Sequence, residues 1–240
     1  TNYHIMKICA SITEIESKEF HKTAIRAFDL GASFLEIRFD YIEANRLSEA
    51  IEIVRPFRAK CIYTLRRTSQ GGKFFGSEIE RLNHLKDLAS QAPMMIDMEF
   101  ETLQENPEIV SFINSLNVPM LVSWHDFRST PSAEELSEWL VLMSSYSKYN
   151  KLVTTANSLD DTLRVLNLYE TIDNSLNLVA FSMGEIGLVS RLLCALQSNC
   201  PFTYAALDQP VAPGQFTIEQ MKKLHSFVEK HNPLHRGLTG

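Results

Sequence analysis

The sequence predicts a (β/α)8 barrel, and two observations support this fold class. Eight apolar, β-rich runs alternate with eight helix-like stretches, and successive runs begin about 25 to 35 residues apart. Eight near-equal strand–helix units are typical of a closed parallel barrel. The alternative is an open, doubly wound sheet, which would not require eight such units. We therefore expect residues 1–240 to form a single barrel domain, with a polar tail at 231–240.

The predicted strands are short runs of apolar and β-branched residues. They begin near Lys7, Phe34, Ala59, Met94, Met120, Lys151, Asn177 and Phe202. The predicted helices cover 16–30, 47–54, 77–89, 107–116, 132–147, 158–172, 186–197 and 217–230. Several helix ends carry clear signals: Gly31 follows the first helix, Ser77 and Glu80 form a capping-box pattern, and Pro107 opens the fourth helix.

The composition indicates a folded protein that binds neither nucleic acid nor membrane. Of 240 residues, 45% are hydrophobic and 22% are charged, and the net charge is −6. An acidic chain is a poor partner for nucleic acid or anionic lipid, and no apolar run reaches the length of a membrane span. The four cysteines (Cys9, Cys61, Cys194 and Cys200) lack CxxC spacing, so we expect reduced thiols and a cytoplasmic location.

Lys151 is the residue around which the predicted site is organised. It stands in the run 151–156 (KLVTTA), which has the pattern of a buried strand. Burial removes hydration from an ammonium, which lowers its pKa and makes the neutral amine available to form a Schiff base with a carbonyl. The alternative is a lysine at a strand end whose ammonium reaches solvent.

Further polar residues stand near the predicted carboxyl ends of the strands, where barrels hold their active sites. In the second strand, the period of two places Glu36, Arg38 and Asp40 on the face toward the barrel axis. Arg66, Glu99 and His125 follow on the next three strands. A histidine beside a Schiff-base lysine suits proton transfer near neutral pH. The alternative is an ion-pair network that only stabilises the barrel.

The cations at this end of the barrel predict a small anionic substrate. Arg38, Arg66, Lys151 and Arg191 gather there, although the whole chain is acidic. Arginine suits a carboxylate or a phosphate, but the sequence has no glycine-rich phosphate loop of the known types. A carboxylate bound by Arg191 therefore fits at least as well as a phosphate.

We expect neither a metal nor an organic cofactor. Asp97, Glu99, His125 and Asp126 could be imagined as metal ligands, but no HxH, HExxH or Cys/His spacing supports such a site. A lysine among these acids would also compete with a cation.

Two glycine-containing loops, 69–73 and 211–215, follow the third and eighth strands. Glycine and proline mark simple turns, and that is one interpretation of both loops. The other is that they form a lid that excludes water and brings Gln215 onto the substrate.

Seven motifs together resemble one enzyme family, type I 3-dehydroquinate dehydratase, the third enzyme of the shikimate pathway. They are EIRFD (36–40), TLR followed by QGG (64–72), DME (97–99), SWHDF (123–127), KLVTTA (151–156), SMGEIGLVSR (182–191) and APGQ (212–215). They occur in the family's order and spacing and span essentially the whole barrel. The resemblance implies a hydro-lyase, active as a homodimer, that converts 3-dehydroquinate, a small carboxylate, to 3-dehydroshikimate in aromatic amino acid biosynthesis.

The resemblance also implies a role for each site residue. Lys151 would form an imine with the C3 ketone of the substrate, and His125 would remove a C2 proton and later protonate the departing C1 hydroxyl. The remaining residues would bind substrate: Arg191 and Gln215 its carboxylate, Glu36, Arg38 and Arg66 its ring hydroxyls, and Met183 its ring.

Two positions depart from the family pattern. Some members have glutamate where Gln70 stands, and that glutamate helps to orient the histidine; here Glu99 is a second candidate for this task. Members often have a hydroxyl residue where Val211 stands, so one carboxylate contact is missing. Two other functions stay open from sequence: a class I aldolase that uses Lys151 on a phosphorylated sugar, and a barrel that only binds a quinate-like effector.

Overall fold

A computed structural model of the protein describes residues 5–209 and 214–231. Eight parallel strands form its sheet: β1 Ile8–Ile12, β2 Phe34–Arg38, β3 Cys61–Thr64, β4 Met95–Glu99, β5 Met120–His125, β6 Tyr149–Thr155, β7 Asn177–Met183 and β8 Thr203–Ala205. Three parts of the predictions lie outside the described residues, namely Val211, the first two residues of the APGQ motif, and the tail 232–240.

The strand order identifies the fold as a (β/α)8 barrel. The order is β7-β6-β5-β4-β3-β2-β1-β8, so each strand lies beside its neighbour in sequence and β8 returns to pair with β1. An open doubly wound sheet would place β1 in its interior and would not join the first strand to the last. Within the described residues, β7 and β8 lie at the one seam without a hydrogen-bonded ladder.

Nine α-helices connect or follow the strands in the described part of the chain. They are α1 Ser17–Leu30, α2 Leu47–Val54, α3 Glu78–Ala89, α4 Phe100–Glu105, α5 Pro107–Ser115, α6 Ala133–Ser144, α7 Leu159–Leu166, α8 Leu188–Ala195 and α9 Ile218–His231. Each predicted helix has its counterpart. The sequence prediction missed α4, and it extended the helix that begins at Ser158 too far, because the chain tightens into a 3-10 helix at Asn167–Glu170.

Alternation along the strands divides the core into two layers. Leu35 and Ile37 of β2 pack outward against the helices, whereas Ile62 of β3 and Val179 of β7 fill the barrel interior. Burial of each such side chain contributes roughly 1.5–3 kcal/mol. Glu36 lies between two outward residues and therefore faces the axis, as the period of two predicted.

The four cysteines are free and buried. In the part of the chain that the structure describes, no helix has the length and apolar character needed to cross a bilayer.

Candidate active site

A pocket of about 150 Å³ opens at the carboxyl end of the barrel. It is lined by Ser11, Glu36, Arg38, Arg66, Gln70, Gly71, His125, Phe127, Lys151, Val153, Phe181, Met183, Arg191, Tyr204 and Gln215. Every site residue predicted from sequence is in this set except Glu99. The fold thus brings side chains from seven strands and their following loops into one small space.

Lys151 lies inside β6 and points into the barrel, where only 6% of its surface is exposed. Its Nζ is 3.7 Å from Asp97 Oδ2 and 4.5 Å from the centre of the Tyr204 ring. Burial lowers the pKa of the Lys151 ammonium, and the charge of Arg66 acts in the same direction. The carboxylates of Glu36 and Asp97 raise this pKa, but they do not outweigh the effect of burial. The ammonium therefore does not reach bulk solvent, and the neutral amine is more accessible than in an exposed lysine.

Asp97 is the hub of a buried polar network beneath the lysine. Arg66 donates from Nη2 to Asp97 Oδ2 at 2.8 Å and from Nη1 to Ser123 Oγ at 2.7 Å, while Ser123 Oγ donates to Asp97 Oδ1 at 2.6 Å. Burial lowers the pKa of Arg66, but the carboxylates of Asp97 and Glu99 outweigh that effect and raise it. Asp97 thus holds two cations, Arg66 and Lys151, in place.

Glu36 and Arg38 are also fixed by local partners. Glu36 accepts hydrogen bonds from Ser11 Oγ at 2.6 Å and Thr64 Oγ1 at 2.9 Å. Arg38 donates twice to Asp40, at 2.8 and 2.6 Å. Such bidentate contacts are short and directional, so these side chains are held in defined positions at the pocket wall.

His125 ends β5 and enters the pocket from a well-fixed turn. The carboxylate of Asp126 accepts from the backbone N–H groups of Arg128 at 2.8 Å and Ser129 at 3.0 Å, which shapes the chain after the histidine. Burial lowers the pKa of His125 well below its ordinary value, and the nearby cation Arg66 acts in the same direction. The ring is therefore neutral near pH 7 and able to accept a proton.

Arg191 is the cation in the pocket that lacks an acidic partner within the described residues. Its guanidinium lies 4.2 Å from the centre of the Phe181 ring, and its Nε has no hydrogen-bond partner there. Burial lowers the pKa of Arg191 to about 10. The preceding residue helps to fix α8, because Ser190 Oγ accepts from the Ser182 N–H at 2.9 Å. A buried guanidinium without a carboxylate is a natural site for an anionic ligand.

Gln215 reaches the pocket because two glycines pack closely together. Gly214 has φ +80°, and a Cβ on it would meet the carbonyl oxygen of Gly184 at 2.6 Å. Glycine permits both the backbone conformation and this close approach. The contact places Gln215 beside the end of β7, where Met183 also lines the pocket.

The two residues predicted to orient His125 have other contacts in the structure. Glu99 lies 2.9 Å from Arg81, 3.5 Å from Arg67 and 3.7 Å from Arg66, all measured between charged atoms. Gln70 donates from Nε2 to Glu101 Oε1 at 3.3 Å.

Sequence reasoning assigned no site role to Ser123, Tyr204 or Glu101 and weighed Asp97 only as a metal ligand. Alternation along β8 could have found Tyr204, which pairs with inward-facing Cys9. Nothing in the sequence shows that Asp97 meets Lys151, because their strands are not neighbours. Among residues 5–209 and 214–231, no three His, Cys, Asp or Glu side chains cluster with the geometry of a metal site.

Fold and pocket together define the class of protein: a (β/α)8 barrel whose polar pocket is centred on a buried lysine. Its walls carry an imidazole and a guanidinium that has no acidic partner among the described residues. The family model described as type I 3-dehydroquinase matches residues 8–232. A 3-dehydroquinate dehydratase from Dehalococcoides mccartyi is 36% identical over 233 residues, which is 95% of this chain and 98% of the relative.

Two further comparisons agree. A 3-dehydroquinate dehydratase from Thermococcus gammatolerans is 38% identical over 194 residues, or 80% of this chain and 86% of the relative. The crystal structure of the Geobacillus kaustophilus 3-dehydroquinate dehydratase has the same fold, with a TM-score of 0.84 at 20% identity, over 95% of this chain and 93% of that one. The chain belongs to the type I 3-dehydroquinase family, a family of shikimate-pathway lyases.

Proposed function

We propose that this protein dehydrates 3-dehydroquinate to 3-dehydroshikimate through an imine on Lys151. The observation that carries the proposal is the state of Lys151, a buried amine with a lowered pKa in the same pocket as His125. A neutral amine is the form that attacks a ketone. The substrate is inferred from family membership, and the roles of the individual residues are inferred from the chemistry of the pocket.

The proposed reaction has three stages that use this chain's own groups. The Lys151 amine adds to the C3 ketone and one water leaves, which gives an iminium. The iminium withdraws electrons from C2, so His125 can take a C2 proton. The same ring then donates a proton to the C1 hydroxyl as its C–O bond breaks, and a second water leaves. Hydrolysis of the imine consumes one water and frees the product, so the net change is the loss of one water.

The substrate carboxylate is proposed to bind Arg191, with Gln215 completing the contact. This assignment is supported by the absence of an acidic partner for Arg191 within the described chain, since Arg38 and Arg66 already have theirs. Glu36, Arg38 and Arg66 then face the ring hydroxyls, and Met183 packs against the ring. Fixed donors and acceptors of this kind hold a substrate in one reactive orientation.

Borohydride trapping tests the imine. The protein is incubated with dehydroquinate and borohydride, and its intact mass is measured. We expect the mass of a reduced adduct for the wild type, and neither adduct nor turnover for Lys151→Ala. Lys148→Ala is the matched control, because this nearby lysine does not line the pocket. The control variant should keep both the adduct and the turnover. An adduct that persists in Lys151→Ala would show that another lysine reacts.

The role of His125 is tested by separating trapping from turnover. His125→Ala should still form the borohydride-trapped adduct but turn over very slowly, because imine formation precedes proton transfer at C2. Near-normal turnover would remove His125 from the mechanism. Trapping with a phosphorylated sugar instead of dehydroquinate would favour the aldolase alternative, and binding of dehydroquinate without trapping or turnover would favour the effector-binding one.

We also propose that the active form is a homodimer. Four apolar side chains on or next to the adjacent helices α7 and α8 are 43–60% exposed. They are Leu159 and Leu163 on α7, Val189 in the first turn of α8, and Ile186, which shortly precedes α8. Exposed apolar groups of this kind are typical of subunit contacts. Sedimentation should show a dimer that Leu163→Glu dissociates, whereas Ile79→Glu, at an exposed site on α3, should leave it intact. A monomeric wild type would refute the proposal. A cytoplasmic location stays a prediction from the cysteines.

A further inference from the structure

We propose that Glu101 is a positioning residue for His125 and that it acts through the side-chain amide of Gln70. The carboxylate holds the amide so that the amide carbonyl faces the imidazole. The inference rests on the proposed function, because it assigns the group that orients the proposed acid–base. It names a residue at the start of α4, an element that sequence reasoning did not foresee.

Three buried polar atoms, two on residues that line the pocket and one on a neighbour of Gln70, lack hydrogen-bond partners within the described residues. They are His125 Nδ1, Gln70 Oε1 and Glu101 Oε2. Buried polar atoms are nearly always paired in native proteins, so a group of unpaired ones points to contacts that form at another stage of the working cycle. Contacts among catalytic groups often tighten only when substrate binds.

The chemistry of Glu101 fixes which end of the amide is free. A carboxylate can only accept, so Gln70 must present its Nε2 donor to Glu101, as the 3.3 Å contact shows. The amide oxygen is then left for a donor on the other side. His125 lines the same pocket, and its unpaired Nδ1 supplies that donor when it carries the proton. This tautomer leaves Nε2 of the ring unprotonated and ready to act as the base.

The surrounding contacts hold the amide near the ring. Gly71 follows Gln70 in the left-handed region at φ +76°, and a Cβ there would meet the Phe127 ring at 2.6 Å. Phe127 in turn stacks on the His125 ring with centroids 5.7 Å apart. The loop that carries Gln70 therefore packs against the residue that supports the imidazole. On the other side, Arg67 Nη2 lies 3.9 Å from Glu101 Oε2.

The charge of Glu101 also suits the chemistry. The charged groups that act on His125 are the cations Arg66, Lys151 and Arg38, and each disfavours imidazolium. The proposed mechanism nevertheless requires His125 to hold a proton between its two steps. A carboxylate linked to the ring through one polarised amide offsets part of this repulsion without filling the pocket.

Four variants test the inference by steady-state kinetics. Glu101→Gln should lower kcat about tenfold, a part of the roughly 10²–10⁴ that a general acid–base contributes, with KM changed less than about twofold. The acid limb of its kcat/KM profile should move to lower pH, because loss of a negative charge lowers the pKa of His125. Glu105→Gln is the matched control: Glu105 contacts Arg67 at 3.8 Å but has no contact with Gln70, so both readouts should stay at wild-type values.

The decisive comparison places Glu101→Gln in a Gln70→Glu background. A glutamate at position 70 would orient His125 directly, and it would repel Glu101 at the present 3.3 Å contact. In that background Glu101→Gln should therefore leave kcat unchanged or raise it, in contrast to the loss of about tenfold expected when Gln70 is present. An equal loss of kcat in both backgrounds, or a loss matched by Glu105→Gln, would overturn the inference and indicate a structural role.

Failure of the proposed function would look different. In that case the wild type itself would give no borohydride adduct and no turnover of dehydroquinate. Melting temperatures of all four variants accompany the kinetics, and the adduct formed by Glu101→Gln should equal that of the wild type, because Lys151 and its network are untouched. An adduct lost from Glu101→Gln alone would contradict the assignment to His125.

Discussion

Asp97→Asn is the perturbation that most directly tests how the barrel tolerates its buried cations. Asp97 is 4% exposed and accepts hydrogen bonds from Arg66 and Ser123, with Lys151 Nζ 3.7 Å away. Asparagine has the same shape but offers one acceptor oxygen where the carboxylate offers two. With its oxygen toward Arg66, the amide turns its NH2 group toward Ser123, whose hydroxyl can accept as well as donate, but both cations lose their nearest negative charge.

The magnitude follows from these contacts. Neutralising one partner of a buried ion pair costs about 3–5 kcal/mol, because the other charge is left without compensation. Arg66 keeps Glu99 at 3.7 Å, so we expect the lower end, a loss of about 3 kcal/mol in the free energy of unfolding. For a domain of this size, each kcal/mol shifts Tm by about 2–4 °C, so Tm should fall by about 6–12 °C.

Urea unfolding followed by tryptophan fluorescence measures this loss. The two tryptophans of the chain, Trp124 and Trp139, stack with ring centroids 5.5 Å apart beside β5, so their emission reports on this part of the barrel. Asp208→Asn is the control, since the Arg26–Asp208 pair is about half exposed and should contribute little. If Asp97→Asn unfolds within about 1 kcal/mol of the wild type, Asp97 is not the counter-ion that holds the network.

Four further predictions concern the pocket. Arg191→Lys should raise KM about tenfold or more while borohydride trapping at saturating substrate persists, because lysine loses the bidentate contact to a carboxylate; an unchanged KM would place the anion elsewhere. The acid limb of wild-type kcat/KM should lie below pH 6.5, since the pKa of His125 is lowered from that value. Below pH 6.5 the unfolded state then binds more protons than the folded state, so the free energy of unfolding should fall as the pH drops, and it should fall less in His125→Asn. Calorimetry at several pH values measures this, and an equal dependence on pH in the wild type and the variant would refute it. Gly71→Ala should lower kcat, because its Cβ meets Phe127, and an unchanged kcat would show that the loop can yield.

Local pattern is sufficient to predict the barrel and most of the pocket. A period of two determines which side of a strand a residue faces, so the pattern of β2 by itself assigns Glu36 to the interior. For Lys151 the pattern left open an ammonium that reaches solvent, and the structure places this residue in the barrel interior. Strand order in a barrel follows sequence order, so residues at successive strand ends have to meet. Boundaries are less certain: β6 begins at Tyr149, two residues before the run 151–156 that predicts it.

Contacts across the barrel could not be predicted in the same way. Asp97 lies on β4 and Lys151 on β6, and their 3.7 Å contact depends on barrel radius, stagger and side-chain rotamers. Glu101 stands in a helix that follows β4 directly, and its contact with Gln70 depends on how two loops fold over the strand ends. Such distances are properties of the closed barrel, and no local pattern in either segment encodes them.

The assignment of the anion site shows what the structure adds to a count of charges. From sequence, Arg38, Arg66 and Arg191 all count toward an anionic substrate, and it is the family resemblance that assigns the carboxylate to Arg191. In the folded chain Asp40 neutralises Arg38, and Asp97 and Glu99 neutralise Arg66, so neither offers an uncompensated charge. Arg191 has no such partner in the described residues, and burial works against its charge. A carboxylate at Arg191 would therefore offset the cost of burying this charge, and an anion should gain more there than at Arg38 or Arg66.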